Sequence, residues 1–268
     1  FKKKWLGQSA TAMAFIALAS TSMMLISRTG ESGHAPFSNL WESMMLFIWA
    51  TNVAYLFMEY KYKFKVIGMV VMAIESLGML SASLLPYKFK SVEPLNPALQ
   101  SKWHWMTDLL STWGLEKYAI GWLDFHVFTT FIGYAGFAIA FGLSILYLIK
   151  ERSEEKGSGG SLVNAFPPSR VLDEMSYRAI AWGFPFLGVG IVSGAVWANY
   201  AWGTYWSWDP KETWSLITWF IYAAYLHARV TRGWRGKRAA YISIAGFLAV
   251  IFLYWGVSFV LPGLHAYA

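Results

Sequence analysis

Seven long apolar runs, separated by shorter polar segments, dominate this chain of 268 residues. They centre on residues 5–26, 39–58, 66–85, 122–149, 177–198, 213–229 and 239–260. Each is close to the ~20 residues that a helix needs to cross about 30 Å of hydrocarbon. Lipid offers no water to an open backbone, so a spanning chain closes its hydrogen bonds within helices or in a closed barrel. A barrel would read as short alternating segments, which these runs are not. The expected fold is therefore all-α, a polytopic integral membrane helical bundle of about seven transmembrane helices that forms a single domain over residues 1–268. The composition agrees: 56% hydrophobic and only 14% charged residues are too apolar a mixture for a soluble chain of this length.

The polar segments assign an orientation. If Lys2, Lys3 and Lys4 are cytoplasmic, alternate segments place sixteen of the 22 lysines and arginines inside. Arg28, Lys88, Lys90, Lys102, Lys117 and Lys211 fall outside. That bias is the positive-inside pattern, and it accounts for most of the net charge of +7. A nucleic-acid footprint would gather basic residues with exposed aromatics on one soluble face, so no nucleic-acid partner is expected. The chain opens on Phe1 without a cleavable-signal pattern, which leaves room for an upstream helix. Glu151 to Ser161, ERSEEKGSGGS, reads as a flexible inner linker. The outer segment 86–121 contains Pro94, Pro97 and Trp103-His104-Trp105, followed by an amphipathic stretch suited to lying on a membrane surface.

The outer loop at about 199–214 carries the densest chemistry. Trp202 to Trp219 reads WGTYWSWDPKETWSLITW, with Trp202, Trp206, Trp208 and Trp214 around one Asp-Pro turn. Indole rings bury a large area with few rotatable bonds, so such a wall suits a flat apolar ligand, a porphyrin being the obvious candidate. An interfacial aromatic belt in contact with lipid also enriches tryptophan, but accounts for only some of these rings. Asp209 as N-cap, Pro210 at the first helical position and Glu212 three residues after the cap form the pattern of a capping box.

Cysteine is absent, so any thiol chemistry must use a partner's thiols. The five histidines are separated by depth. His126 stands at the outer start of its run and His265 just beyond the Pro262-Gly263 break. Both therefore lie level with the tryptophan-rich loop. Two readings are open for the pair: axial ligation of one haem iron from opposite sides, or hydrogen bonding at the interface. His227 falls roughly 22 Å below Glu212 at about 1.5 Å per residue. It is either an intramembrane functional residue or one that snorkels with Arg229 to the inner interface. His34 and His104 read as interfacial residues.

The run GAVWANYAWGTYWSWDPKETWSLITWFIYAAYLH, Gly194 to His227, resembles the tryptophan-rich WWD signature of haem-handling proteins in cytochrome c biogenesis, of the CcsA or ResC type. HAPFSNLWES (His34 to Ser43), NPALQSKW (Asn96 to Trp103), WLDFHVFTTFIGYAGF (Trp122 to Phe137) and GLHAYA (Gly263 to Ala268) are similar to further segments of that family, in its order.

The resemblance implies a System II cytochrome c synthase of haem lyase type. Such a protein moves haem b across the membrane and presents it at the outer face, where its vinyl groups join the two CXXCH thiols of apocytochrome c. It also implies a CcsB or ResB partner subunit or fused half. His126 and His265 would be the outer axial ligands and His227 the ligand of an inner site, with Trp202, Trp206, Trp208, Asp209 and Trp214 beside the haem. The implied location is the bacterial cytoplasmic (inner) membrane, or the thylakoid membrane in a plastid, with the WWD loop and the C-terminus outside. The alternative is a haem exporter that delivers to a haem chaperone without synthase activity.

Overall fold

The computed structural model describes residues 4–63, 65–92, 101–157 and 159–261. The elements in chain order are α1 (Lys4–Ser32), α2 (Leu40–Tyr62), α3 (Val66–Leu84), α4 (His104–Ser111), α5 (Trp122–Lys156), α6 (Ser161–Asn164), α7 (Ser169–Trp202), α8 (Pro210–Thr231) and α9 (Lys237–Ile251). A π-helical turn, Phe252–Gly256, then leads into α10 (Val257–Val260). Single 3-10 turns occur at Tyr87–Phe89 and Glu116–Tyr118. The fold is all-α, and the one extended pairing among the described residues is an isolated bridge between Lys102 and Gly121.

Each of the seven apolar runs is helical, but among the described residues five helices are long and apolar enough to cross a membrane by length and composition. These are Gly7–Ser32, Ile67–Leu84, Trp122–Lys156, Ser169–Trp202 and Lys237–Val260. The remaining two are diluted by polar groups: α2 by Asn52 and Glu59, and α8 by Lys211, Glu212, His227 and Arg229. Among the described residues, five helices therefore meet both criteria of a span, against the seven expected.

Helices do not associate in lipid through the hydrophobic effect, since lipid is as apolar as leucine, so close packing must supply the attraction. Here it comes from glycine. A Cβ on Gly133 of α5 would lie 2.9 Å from the Leu187 amide nitrogen of α7, and one on Gly183 would lie 2.8 Å from the Gly133 carbonyl oxygen. These antiparallel helices therefore meet backbone to backbone. The α5 side chains Phe137, Ala138, Ile139 and Leu143 are fully buried, and the other helices pack around this pair. Tyr222 of α8 joins them by stacking on Phe137 at 3.6 Å.

The two ends of the bundle differ. At the basic end, Arg229 pairs with Asp173 at 2.7 Å, both buried. Asp173 also accepts from the Gly236 N–H at 3.0 Å, and Arg229 donates to the Trp234 carbonyl at 3.2 Å, which pins the turn after α8. The stretch expected to be a flexible linker from Glu151 remains helical through Lys156. Lys237 holds it there, 2.7 Å from Glu155 and 3.6 Å from Glu151. The chain turns only at Gly157, whose φ of +60° is the left-handed conformation that favours glycine. At the opposite, tryptophan-rich end, Asn39 caps α2 by accepting the Glu42 N–H at 2.9 Å. Glu42 itself accepts from Ser38 N–H at 3.0 Å and Arg28 Nε at 2.8 Å, tying α1 to α2.

Candidate functional site

A cavity of about 360 Å³ opens at the tryptophan-rich end. It lies within the range of about 300–1,000 Å³ typical of small-molecule sites. The start of α5 supplies His126 and Thr130, α7 supplies Leu187, Gly194 and Trp197, and the loop supplies Tyr205 and Trp206. Lys211 and Glu212 come from the first turn of α8, and Leu253 and Tyr254 from the π-helical turn. π-Turns widen a helix and re-aim its side chains, and they gather at functional sites. Here the Tyr254 hydroxyl lies 2.8 Å from Ser43 Oγ, bringing α2 into the same wall.

His126 is held on three sides. Its Nδ1 lies 2.6 Å from the Gly190 carbonyl oxygen. A carbonyl can only accept, so Nδ1 carries the proton and the ring's lone pair resides on Nε2, the form in which imidazole binds a metal. The ring stacks on Trp197, with centroids 6.4 Å apart and planes within 6°. A Cβ on Gly194 would lie 2.6 Å from both Cε1 and Nδ1, so glycine there is what admits the ring.

The tryptophans divide by role. Trp206 lines the cavity, and its indole N–H is buried without a hydrogen-bond partner among the described residues; Thr130 Oγ1 shares that condition. Unsatisfied groups in a cavity wall cost stability unless a ligand or water supplies their hydrogen-bond partners. Trp202 packs edge-on against Trp197 at 4.8 Å, behind the ring that faces His126. Trp208 is exposed, with φ of +60°, an unusual conformation for a bulky residue. Trp214 packs on Phe252 of the π-turn at 4.4 Å. Neither Trp208 nor Trp214 lines the cavity.

The Asp-Pro turn is a capping box, as its sequence reads. Asp209 Oδ1 accepts the Lys211 N–H at 2.9 Å, and Glu212 Oε2 accepts the N–H groups of Asp209 at 3.2 Å and Ser207 at 2.8 Å. Asp209 thus shapes the loop, without lining the cavity. Lys211 precedes the apolar run of α8, and burial pushes its amino group down to about 8, with Asp209 partly opposing the shift.

The remaining histidines are dispersed. His227 is exposed on α8 near its basic end, away from the cavity, whereas its neighbour Arg229 turns inward to Asp173. His265 lies outside the described residues. His34, expected to be interfacial, is buried against the protein at 3% exposure, with Nδ1 2.8 Å from the Ala35 carbonyl oxygen. The α1–α2 connection folds inward and places it near enough to Asp124 to act on it electrostatically. His104 is exposed at the start of α4. Trp197, Tyr254 and Thr130 were not singled out from sequence. Trp197 stands in the run Gly194 to His227, but its place against His126 depends on how α7 packs on α5.

The family described as "Cytochrome C assembly protein" matches residues 116–265, a stretch that includes α5, the loop and α8. The chain is 40% identical over 280 residues to the cytochrome c biogenesis protein CcsA of Guillardia theta, covering 98% of this chain and 85% of that one. It is 40% identical over 293 residues to the protein of that name from Porphyra purpurea, covering 96% and 85%. Its identity to that of Prochlorococcus marinus (strain NATL2A) is 44% over 254 residues, covering 91% and 79%.

Proposed function

For a chain that belongs to the cytochrome c assembly family, as a CcsA-type cytochrome c biogenesis protein, we propose that the cavity at the tryptophan-rich end holds haem for attachment to apocytochrome c. One observation carries this reading. His126 is fixed in the tautomer whose lone pair is on Nε2, in a cavity wall where the Trp206 N–H has no hydrogen-bond partner among the described residues. In the proposed complex His126 is one axial ligand and His265 the other, with haem b as the substrate. Trp197 and Trp206 face the macrocycle, and Lys211 neutralises a propionate.

The protein's contribution is position. A ring clamped between two imidazoles against a dry aromatic wall presents its vinyl edge in one orientation, and most of the rate gain comes from that restriction. Each CXXCH thiol adds across a vinyl group: sulfur bonds to one carbon, the thiol hydrogen ends on the other, and no electron is gained or lost. The substrate's own histidine then displaces His126 or His265, which releases the product. His227, at the basic end, belongs to an inner haem site completed by a CcsB or ResB-type partner or fused half. This orientation puts the loop outside a bacterial cytoplasmic membrane or on the corresponding side of a thylakoid.

Covalent haem on a co-expressed CXXCH reporter tests the proposal. His126→Ala should reduce attachment, and added imidazole should partly restore it by filling the vacated position. His227→Ala should deplete haem at both sites, because supply fails upstream, whereas His265→Ala should leave haem held deeper in the membrane. Full attachment with His126 and His265 both removed overturns the synthase reading. Haem export with no attachment in the intact protein and its partner would favour delivery to a chaperone instead.

A further inference from the structure

A second polar system lies away from the cavity, among α1, α2 and α3. It begins at the basic end, where Lys65 Nζ donates to the Gly7 carbonyl at 2.8 Å and to Thr11 Oγ1 at 3.0 Å. Lys65 Nζ is also 3.5 Å from Glu59 Oε1. Thr11 Oγ1 lies 2.6 Å from the same Glu59 oxygen. The Tyr55 hydroxyl donates to the other, Oε2. These contacts form a hydrogen-bonded file that climbs α2 from the basic end toward the middle of the bundle.

The file points at a buried acid. A Cβ on Gly68 of α3 would lie 2.5 Å from the Tyr55 hydroxyl, and one on Gly78 would lie 3.4 Å from Ile48 Cγ1. The antiparallel register set by those two contacts places Glu75 level with position 50, between Ile48 and Asn52 on the side of α2 that faces α3 and a little over one turn beyond Tyr55. Glu75 is close enough to act electrostatically on the Tyr55 hydroxyl. Glu75 is 8% exposed and Asn52 only 1%. Glu75 Oε1 and Asn52 Oδ1 both lack a hydrogen-bond partner among the described residues. A carboxylate oxygen and an amide oxygen can only accept, so burying the two together without a donor is costly. A proton on the carboxylate converts one acceptor into the missing donor.

We propose that Glu75 and Asn52 form an intramembrane proton-binding site, loaded from the basic end through Glu59 and Tyr55. A proton arrives on Glu59. The Tyr55 hydroxyl first rotates from Glu59 toward Glu75; its oxygen then accepts the proton from Glu59 while its own proton passes to Glu75 Oε1, which leaves the new O–H donating to Glu59 again. One O–H bond forms for each one that breaks, and no electron moves. Neutral Glu75 then donates to Asn52 Oδ1. The titratable groups facing this point are Tyr55 and Glu59 on α2 and Lys65 at the start of α3. From α1 comes the Thr11 hydroxyl, and α5 meets α3 at Gly142 against Val70. No further charged group acts on Glu75 among the described residues. The proposal is independent of the haem reading.

Infrared difference spectroscopy on the full chain in lipid nanodiscs, titrated from mildly acidic to mildly alkaline pH, reads the site directly. The expected result is a protonated-carboxyl stretch that is lost in Glu75→Gln and shifts in frequency in Asn52→Ala. After transfer to deuterated buffer, its isotope shift should be delayed in Tyr55→Phe and in Glu59→Gln. A Glu75-dependent carboxylate band at every pH overturns the proton site, as does a wild-type spectrum identical to that of Glu75→Gln. Unchanged exchange in both Tyr55→Phe and Glu59→Gln overturns the loading route. Because Glu75→Gln is isosteric and supplies its own donor, its melting temperature should equal or exceed the wild type's; a large loss would also count against the proposal.

Discussion

The His126 ring occupies the space that a side chain on Gly194 would fill, with Nδ1 and Cε1 each 2.6 Å from the ideal Cβ position. Helix α7 therefore sets the ring's plane twice, through the Gly190 carbonyl on one edge and the bare backbone of Gly194 on its face. Replacing Gly194 with Ala should push the imidazole off Trp197 and break its bond to Gly190 without touching any ligating atom. The expected outcome is a several-fold loss of haem retained at this end, partly restored by imidazole. The absorption spectrum of the purified protein checks it, and a spectrum indistinguishable from wild type would show that the ring's seating is unimportant.

Lys211 gives a pH signature. Its amino group is displaced from 10.5 to about 8 by burial. Between those values the unfolded chain binds the proton more often than the folded one, so stability rises with pH across that window. Below about 8 the lysine is charged in both states and carries the full cost of burial. In haem-free protein, Lys211→Met should melt higher than wild type at neutral pH, and the difference should shrink as pH climbs toward 10.5. Thermal melts across that range decide the matter. A pH-independent difference would mean that Lys211 is not desolvated.

The buried pair of Arg229 and Asp173 predicts strong coupling. Removing Asp173 leaves the buried Arg229 with only the partly exposed Glu174, 3.4 Å away; breaking a buried pair costs up to about 3–5 kcal/mol, whereas replacing both members by apolar residues costs far less. Asp173→Ala should therefore destabilise the protein more than the double variant Arg229→Met, Asp173→Leu. Denaturation in detergent, analysed as a double-mutant cycle, measures the coupling directly.

Topology can be tested cleanly because the chain has no cysteine of its own. Single cysteines at Ser207 and Thr112, both exposed at the tryptophan-rich end, should label from outside with a membrane-impermeant maleimide. A cysteine at Arg232, exposed at the basic end, should not. Labelling of position 232 from outside would invert the orientation and the haem route with it.

Much of this was legible in the sequence because membrane helices announce themselves by local composition. The Asp209 to Glu212 capping box and the Asn39 cap were equally readable, since a cap is a contact between residues three or four apart. The width of the apolar runs was less so: α7 starts at Ser169 and α5 continues to Lys156 because Arg229, Asp173 and Lys237 meet there from distant segments. The cavity wall was missed for the same reason. Trp197, Tyr254 and Ser43 converge only when α7, the π-turn and α2 are packed, and no spacing within one helix encodes that. The burial of His34 was not legible because it depends on how the α1–α2 connection folds in.

The backbone contact between α5 and α7 has a mechanical consequence. With Gly133 and Gly183 in mutual contact, no side chain stands between the helices to act as a cushion, so neither can slide or tilt without its partner. His126 and Trp197 ride on this pair as the fixed jaw of a vice. The opposing jaw consists of the loop from Gly203 to Asp209 and the π-turn with Tyr254, one joined by a glycine of φ +82° and the other by a helix already out of α register. If a bulky ring enters the cavity, this geometry predicts that the loop and the last helix give way while the histidine keeps its place.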